Sequence, residues 1–287
     1  MKLAVLGVGL MGRAIAERLK ACGHDVIVFN RTPEKAQALA PLGIAVAATG
    51  AEAVAGAEQV LLVLSDAAAI EAVVCAPAVK ALLAGKLVIQ MGTIAPEESQ
   101  RVAQVVEAAG GHYAEAPVLG SLAEAKSGRL LVMVGGTEAR LAHLRPWLTA
   151  LDPDPLHVGP VGQAAALKLA LNQLIAAHIT ALSLSLGYLQ RVGVPPAAFR
   201  RILERSTLAP AMFEKKYPRL AARDYRTPNF SVRMLLKDVR LFLREAERTG
   251  VDPRSLSGVP GLLERAIAAG HGDEDYAAVY EAVNPTP

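Results

Sequence analysis

Short apolar segments alternate with alanine-rich helical segments along the first half of the chain. Nearly every residue of LAVL, VLLVL and LLVMV is apolar, which is typical of strands that are covered on both faces. Strands of this kind that alternate with helices predict an α/β domain with a doubly wound parallel sheet. The strand candidates are KLAVLG, DVIVFN, QVLLVLS, KLVIQMG, GGHYAEAPV and RLLVMVGG.

The pattern changes at Gly159-Pro160-Val161-Gly162, because no β-branched run follows and the apolar spacing becomes helical. We predict a domain boundary there, with an α/β domain over residues 1–161 and an all-α domain over residues 162–287. The spacing predicts a long first helix over residues 163–191, ended by Gly193 and the prolines after it. Further helices are expected at 196–206, 209–222, 231–249 and 257–269.

The long helix has a segment, residues 169–189, that carries no formal charge and is long enough to cross a bilayer. Its polar residues favour a buried helix of a soluble protein; they are Asn172, Gln173, His178, Thr180, Ser183 and Ser185. Because one small helical domain does not readily cover this apolar length, we expect a homodimer or a homotetramer.

Composition narrows the possible functions. The 287 residues are 52% hydrophobic and 20% charged, and the formal net charge of +3 is spread without a basic block, so nucleic-acid binding is not expected. The two cysteines, Cys22 and Cys75, are too few and too isolated for a disulfide framework or a CxxC metal site. We therefore expect a cytoplasmic protein with no metal, no membrane partner and a small-molecule ligand.

A glycine-rich turn, Gly7-Val8-Gly9-Leu10-Met11-Gly12, directly follows the first strand and opens a helix. Gly7 permits a tight turn, Gly9 lets the backbone approach a pyrophosphate, and Gly12 allows close helix–strand packing. The diphosphate would lie at the positive end of the helix. Chance glycines are the alternative, but the strand before and the helix after favour a Rossmann-type dinucleotide site that includes Leu10 and Met11.

The end of the second strand points to NADP rather than NAD. Asn30 lies 18 residues after Gly12, where an acidic residue would normally accept hydrogen bonds from the adenosine ribose. Arg31 follows instead, and its guanidinium, helped by the Thr32 hydroxyl, is suited to a 2′-phosphate. The alternative is that Arg31 is a solvated surface cation.

Lys168 and Asn172 are four residues apart in the long helix and therefore share one face in apolar surroundings. A lysine there either extends its amine to solvent or donates to a bound anion or carbonyl. Because the helix starts at the domain junction, where ligands are often held, we expect the second.

Together these residues resemble the β-hydroxyacid dehydrogenase family, which includes 3-hydroxyisobutyrate dehydrogenases and glyoxylate/succinic semialdehyde reductases. The resemblance extends over nearly the whole chain. It is carried by GVGLMGRAIAERL, GHDVIVFNRT, MGT, EAPVLGS, GQAAALKLALNQ and LLKDVRLFLREA. It implies that Lys168 is the catalytic residue, that Asn172 helps to hold the substrate, and that Lys237 lies toward the cofactor.

The resemblance also bears on the strand ends. Thr93, in the MGT turn, is expected to bind substrate and cofactor, although a turn-capping threonine is the alternative. Leu64 and Ser65 would line the cofactor pocket, or Ser65 would cap a helix. Lys237 and its neighbour Asp238 would otherwise be an exposed helix pair.

The substrate segment departs from the family pattern. Family members usually carry a serine and two small residues after APV, whereas Leu119, Gly120 and Ser121 stand here. The resemblance implies that these three residues bind substrate. Gly120 and Ser121 can still offer backbone donors, while Leu119 makes the pocket more apolar.

We therefore predict an NADP-dependent oxidoreductase that transfers a hydride between nicotinamide and a small hydroxy acid or semialdehyde, with Lys168 as general acid and base. An imine reductase of the same fold is one alternative, although such enzymes generally carry another residue at the position of Lys168. A non-catalytic NADP-binding module is a second alternative.

Overall fold

The structure, a computed structural model, describes residues 1–208 and 211–285. Its contacts divide the chain into two compact units, residues 1–169 and 170–287. The predicted boundary between residues 161 and 162 stays a prediction, because the long helix continues from one unit into the next.

The first unit contains a sheet of nine strands within the described residues. They are β1 (Lys2–Leu6), β2 (Asp25–Phe29), β3 (Ala45–Val46), β4 (Gln59–Leu62), β5 (Leu87–Gln90), β6 (His112–Glu115), β7 (Val118–Leu119), β8 (Leu131–Gly135) and β9 (Leu156–Gly159). The parallel order β3-β2-β1-β4-β5-β6 is the doubly wound Rossmann arrangement, so the predicted fold class is confirmed.

The sheet is not wholly parallel. β8 runs antiparallel to β6 and β7, and β9 is parallel to β8. The strand candidates did not include β3, β7 or β9 as separate strands, because two of them have only two residues and β9 has no continuous apolar run.

Helices cover both faces of this sheet. They are α1 (Leu10–Ala21), α2 (Pro33–Gln37), α3 (Gly50–Ala55), α4 (Ala67–Val74), α5 (Pro77–Lys80), α6 (Pro96–Ala108), α7 (Leu122–Ser127) and α8 (Glu138–Leu148). In β1, Leu3 and Val5 belong to one apolar core while Ala4 and Leu6 belong to another, and all four side chains are buried. The apolar runs in the sequence therefore reflect two buried faces, as predicted.

The second unit is helical. The helices are α9 (Gln163–Arg191, which starts in the first unit), α10 (Pro196–Leu203), α11 (Ala211–Ala222), α12 (Val232–Arg248), α13 (Val259–Ala266) and α14 (Val279–Val283). The bounds of α9 are those predicted. Residues 209 and 210, where another helix was predicted to start, lie outside the described residues. The last predicted helix ends earlier than expected, before a π-helical turn in which Gly270 has φ +99°.

The long helix α9 is only partly buried by its own chain. By length and composition it could cross a membrane, and less than half of its most apolar stretch is buried. Leu184 and Tyr188 are exposed on it. The predicted buried helix thus leaves an apolar surface uncovered in a single chain.

Candidate functional site

The glycine-rich turn after β1 is shaped by two glycines that the chain itself requires. Gly7 has φ +101°, and a Cβ there would lie 2.3 Å from the Val63 carbonyl oxygen at the end of β4. A Cβ on Gly12 would lie 2.0 Å from the Gly7 carbonyl oxygen. Both approaches are shorter than any side chain tolerates, so these glycines serve turn geometry and packing, as predicted.

Gly9 differs from both, because a Cβ there would meet nothing within 4 Å. It is the N-cap of α1, and no side chain caps that helix end. The first amides of a helix lack partners within the helix and carry partial positive charge, so the open space at Gly9 fits the phosphates of a dinucleotide. Leu10 is exposed beside it, whereas the Met11 side chain packs against the apolar core.

Asn30 joins this turn to the end of β2. Its Oδ1 accepts a hydrogen bond of 2.9 Å from the Val8 N–H, and its Nδ2 donates to the Thr32 carbonyl at 2.9 Å. An aspartate would lose the second bond and would set a negative charge against that carbonyl. Arg31 and Thr32 are exposed, and Arg31 forms no ion pair within residues 1–208 and 211–285. The guanidinium is thus available to an anionic group.

The end of β4 lies beside the same turn. A Cβ on Gly7 would be 2.8 Å from Leu64 Cδ2, and a Cβ on Gly92 would be 2.4 Å from the Leu64 carbonyl oxygen. Leu64 therefore stands between the glycine turn and the half-buried Thr93, which follows Gly92.

The helix-cap interpretation of Ser65 is wrong. Asp66 caps α4 by accepting from the Ala69 N–H at 2.8 Å, and the Ser65 hydroxyl donates to Asp66 at 2.7 Å. The N-cap of α6 is Ala95, and both the binding role and the turn-capping alternative of Thr93 stay predictions.

The segment predicted to bind substrate is built around a capping box. Leu119 ends β7, Gly120 has φ +141°, and Ser121 is the N-cap of α7. The Ser121 N–H donates to Glu124 at 2.7 Å, and the Ser121 hydroxyl donates to the same carboxylate. The expectation that Ser121 offers its backbone N–H to a ligand is therefore wrong. The Ser-x-x-Glu pattern of a capping box was the signal that would have shown this.

Lys168 and Asn172 are both buried, at 8% and 3% exposure. A lysine whose stem lies on apolar surface while its amine reaches solvent would be far more exposed, so the snorkelling alternative is wrong. The helix α9 carries both side chains on one face.

Asp238, which the sequence analysis treated only as a neighbour of Lys237, contacts two polar side chains of the second unit. Its Oδ2 accepts a hydrogen bond of 2.6 Å from Asn172 Nδ2, and its Oδ1 lies 2.9 Å from Lys237 Nζ. Asp238 is 2% exposed, so the exposed-pair interpretation is wrong. The signal was present in the sequence, since Asp238 shares its helix face with the buried Leu235.

The bond to Asp238 determines what Asn172 presents to a ligand. Because Nδ2 faces the carboxylate, the remaining polar atom is Oδ1, which is buried and accepts no hydrogen bond within the described part of the chain. Asn172 therefore presents an acceptor, suited to a hydroxyl or another donor of a bound molecule.

These observations define a Rossmann-type dinucleotide-binding protein with a helical second unit that carries buried polar groups. Residues 2–159 match the model of the NAD binding domain of 6-phosphogluconate dehydrogenase. Residues 162–283 match the model described as NAD-binding of NADP-dependent 3-hydroxyisobutyrate dehydrogenase. The chain belongs to the β-hydroxyacid dehydrogenase family of oxidoreductases, and the resemblance found in its sequence is confirmed.

Relatives cover nearly all of the chain. Glyoxylate/succinic semialdehyde reductase 1 of Arabidopsis thaliana is 29% identical over 99% of this chain and 98% of its own length. The solved 3-hydroxyisobutyrate dehydrogenase of Mycobacterium tuberculosis with L-serine is 26% identical, covers 98% of both chains and has a TM-score of 0.87.

A third relative is not named as an enzyme. Cytokine-like nuclear factor N-PAC of Xenopus tropicalis is 27% identical over 98% of this chain, which spans 53% of that protein.

Proposed function

We propose that the protein is an NADP-dependent oxidoreductase that interconverts a small carbonyl acid, such as a semialdehyde or glyoxylate, with the matching hydroxy acid. The observation that carries this proposal is Lys168, an amine that is 8% exposed on the same helix face as Asn172. A buried amine on this helix face is suited to a site that must stabilise charge on a carbonyl oxygen.

When bound, NADPH supplies a hydride to the carbonyl carbon of the substrate. Lys168 as an ammonium donates a hydrogen bond to the carbonyl oxygen, stabilises the negative charge that develops there, and transfers a proton to it. In the opposite direction a neutral Lys168 accepts the hydroxyl proton. Asn172 Oδ1 accepts a hydrogen bond from a donor of the bound molecule, and Asp238 holds the amide in that orientation.

Two residues support a preference for NADP. Asn30 stands at the position where NAD-binding sites carry a carboxylate, and the exposed Arg31 follows it. Asn30 and Thr32 complete this part of the proposed site with the glycine turn, Leu64 and Ser65. Arg31→Ala should raise the KM for NADPH about 10-fold or more, because a charge-assisted phosphate contact is lost, and leave the KM for NADH nearly unchanged. Equal changes for both coenzymes would contradict the preference.

Leu119 and the engaged donors of Ser121 favour substrates whose non-reacting end needs few hydrogen bonds from this segment. Gly120 and Thr93 complete this part of the proposed substrate site, and all four residues belong to the first unit. The substrate assay is a panel of glyoxylate, succinic semialdehyde, methylmalonate semialdehyde, tartronate semialdehyde and a cyclic imine, each with NADPH and with NADH. Turnover of an acid aldehyde supports the proposal, and turnover of the imine alone identifies an imine reductase.

A second candidate is a non-catalytic NADP-binding module. Its support is the similarity to N-PAC, which is named as a nuclear factor. Binding of NADPH without turnover of any compound in the panel would support this alternative.

We also propose a cytoplasmic homodimer or homotetramer without nucleic-acid or membrane partners. Its support is the uncovered apolar surface of α9, where Leu184 is 65% and Tyr188 is 64% exposed. Light scattering at micromolar concentration should give at least twice the 30.1 kDa of one chain, and Leu184→Glu should lower that mass.

A further inference from the structure

A carboxylate is enclosed near the start of the long helix. Glu115 is the last residue of β6 and is 1% exposed. Its Oε1 accepts a hydrogen bond of 2.9 Å from the N–H of Gly162, the residue before α9 begins. Burying a carboxylate is costly without compensation, so its position needs a reason.

Several donors offset part of this cost. Burial raises the pKa of Glu115 and outweighs the Ser99 hydroxyl and the amides of Gly162, Ala165 and Ala164, all of which favour the ionised form. Within the described residues Oε2 makes no hydrogen bond of good geometry, so the bond from Gly162 is the defined one. Because the first amides of a helix lack partners within it, an acceptor there fixes where the helix begins.

The fold leaves space for this carboxylate at Gly135, which is paired with Glu115 between β6 and β8. A Cβ on Gly135 would lie 2.2 Å from Glu115 Oε2 and 3.2 Å from the Ala164 Cβ. Gly135 does not have a positive φ, so its backbone conformation does not require glycine. Gly135 therefore lacks a side chain at the place that the Glu115 carboxylate occupies.

Glu115 also ties the helix to the edge of the sheet where Thr93 lies. It is in register with Gln90 of β5, and Thr93 follows that strand by three residues. Lys168 comes six residues after Gly162, about 9 Å along the axis of the helix that begins at the next residue. All of these residues belong to the first unit.

We infer that Glu115 is a positioning residue for Lys168. By accepting a hydrogen bond at the start of α9, it sets the height and the rotation of the turn that carries the amine, relative to the ends of β5 and β6. The inference rests on the proposed function, because this geometry matters for turnover only where Lys168 acts on a bound carbonyl compound.

The test compares E115A with E115Q. E115A should lower kcat about 100-fold, as a misplacement of about 1 Å can do, while the Kd for NADPH stays within about 2-fold. E115Q should keep kcat within about 5-fold of the wild type, because the glutamine oxygen still accepts from Gly162. Hydrogen exchange should show the amides of residues 164–168 losing protection about 10-fold in E115A, with the rest of the chain unchanged.

A glycine pair gives an independent test that keeps the Glu115 side chain. G135A should reproduce the loss of kcat because its Cβ displaces the carboxylate, and G261A should resemble the wild type because a Cβ there meets nothing within 4 Å. Adding G135A to E115A should lower kcat little further, since the carboxylate that G135A displaces is already absent.

The inference is overturned if E115A keeps kcat within about 2-fold, or if protection falls uniformly while kcat per folded molecule is unchanged. Equal losses in E115A and E115Q would overturn it too, because the charge and not the accepted hydrogen bond would then matter. If the wild type turns over no carbonyl compound, the proposed function has failed, and hydrogen exchange alone decides whether Glu115 fixes the start of α9.

Discussion

The glycine turn and the polar cluster of Asn172, Lys237 and Asp238 are built in opposite ways. The turn extends over Gly7 to Gly12 and depends on backbone geometry, with glycines required at its ends and open space at Gly9. The polar cluster depends on side chains, and its hydrogen bond joins residues 66 positions apart. A site made from adjacent residues can be identified from spacing, whereas a site made from distant side chains needs the packing that brings them together.

Lys168→Ala tests whether the catalytic residue lies on α9 and not in the glycine turn. We expect kcat to fall about 10²- to 10⁴-fold, the usual contribution of a general acid, while the Kd for NADPH changes less than about 2-fold. Steady-state kinetics and coenzyme fluorescence measure the two quantities. Lys126→Ala, which removes an exposed lysine of the first unit, is the control and should leave both unchanged. A variant that keeps half of its kcat would remove Lys168 from the mechanism.

Two substitutions distinguish a glycine that the fold requires, Gly12, from a glycine that is expected to lie against the phosphates, Gly9. Gly12→Ala should lower the free energy of unfolding by about 3 kcal/mol, because its Cβ would lie 2.0 Å from a carbonyl oxygen. Gly9→Ala meets no protein atom, so its stability should change by less than about 0.5 kcal/mol while NADPH binding weakens about 10-fold or more. Urea unfolding and coenzyme titration measure these effects. Normal NADPH affinity in Gly9→Ala would show that no phosphate lies there.

Asp238→Asn tests the polar cluster. It should lower the free energy of unfolding by about 2 kcal/mol, since a buried charge-assisted hydrogen bond is weakened, and it should also reduce kcat/KM because the Asn172 amide loses its orientation. The matched control is Asp224→Asn, which alters an exposed pair with Arg226 and should cost much less stability. Similar losses of stability in both variants would mean that burial adds nothing at Asp238.

The smallest expected effect is on the pH dependence of stability. Burial raises the pKa of Glu115. Between the pKa of the unfolded state and that of the folded state, the folded protein therefore holds a proton that the unfolded chain has released. Stability from this group is complete below the ordinary value of 4.5 and is lost as the pH rises through the folded pKa. Relative to E115Q, the wild type should lose stability in urea unfolding as the pH rises above 4.5. Parallel pH profiles of the two proteins would contradict this.

Most of the fold was predictable from the sequence. The strands and helix caps that were not predicted have physical explanations. Repeated apolar runs predict the long strands and α9 because burial on both faces, or on one helix face, leaves a periodic pattern. β3 and β7 have two residues each and leave no such pattern. Asp66 and Glu124 accept hydrogen bonds over three residues, so the local sequence did contain the signal for both helix caps.

By itself, the sequence determined the doubly wound sheet, the glycine turn, the shared face of Lys168 and Asn172, and membership of an oxidoreductase family. The first three follow from local periodicity and from backbone demands at single residues, whereas the membership follows from the resemblance of motifs along the chain. Only the tertiary structure decided that Asp238 orients Asn172, that a carboxylate from β6 meets the start of α9, and that Gly135 leaves space for it. The choice of partner for a buried polar atom depends on segments that are distant in the chain, because only their packing decides which donor and acceptor can meet.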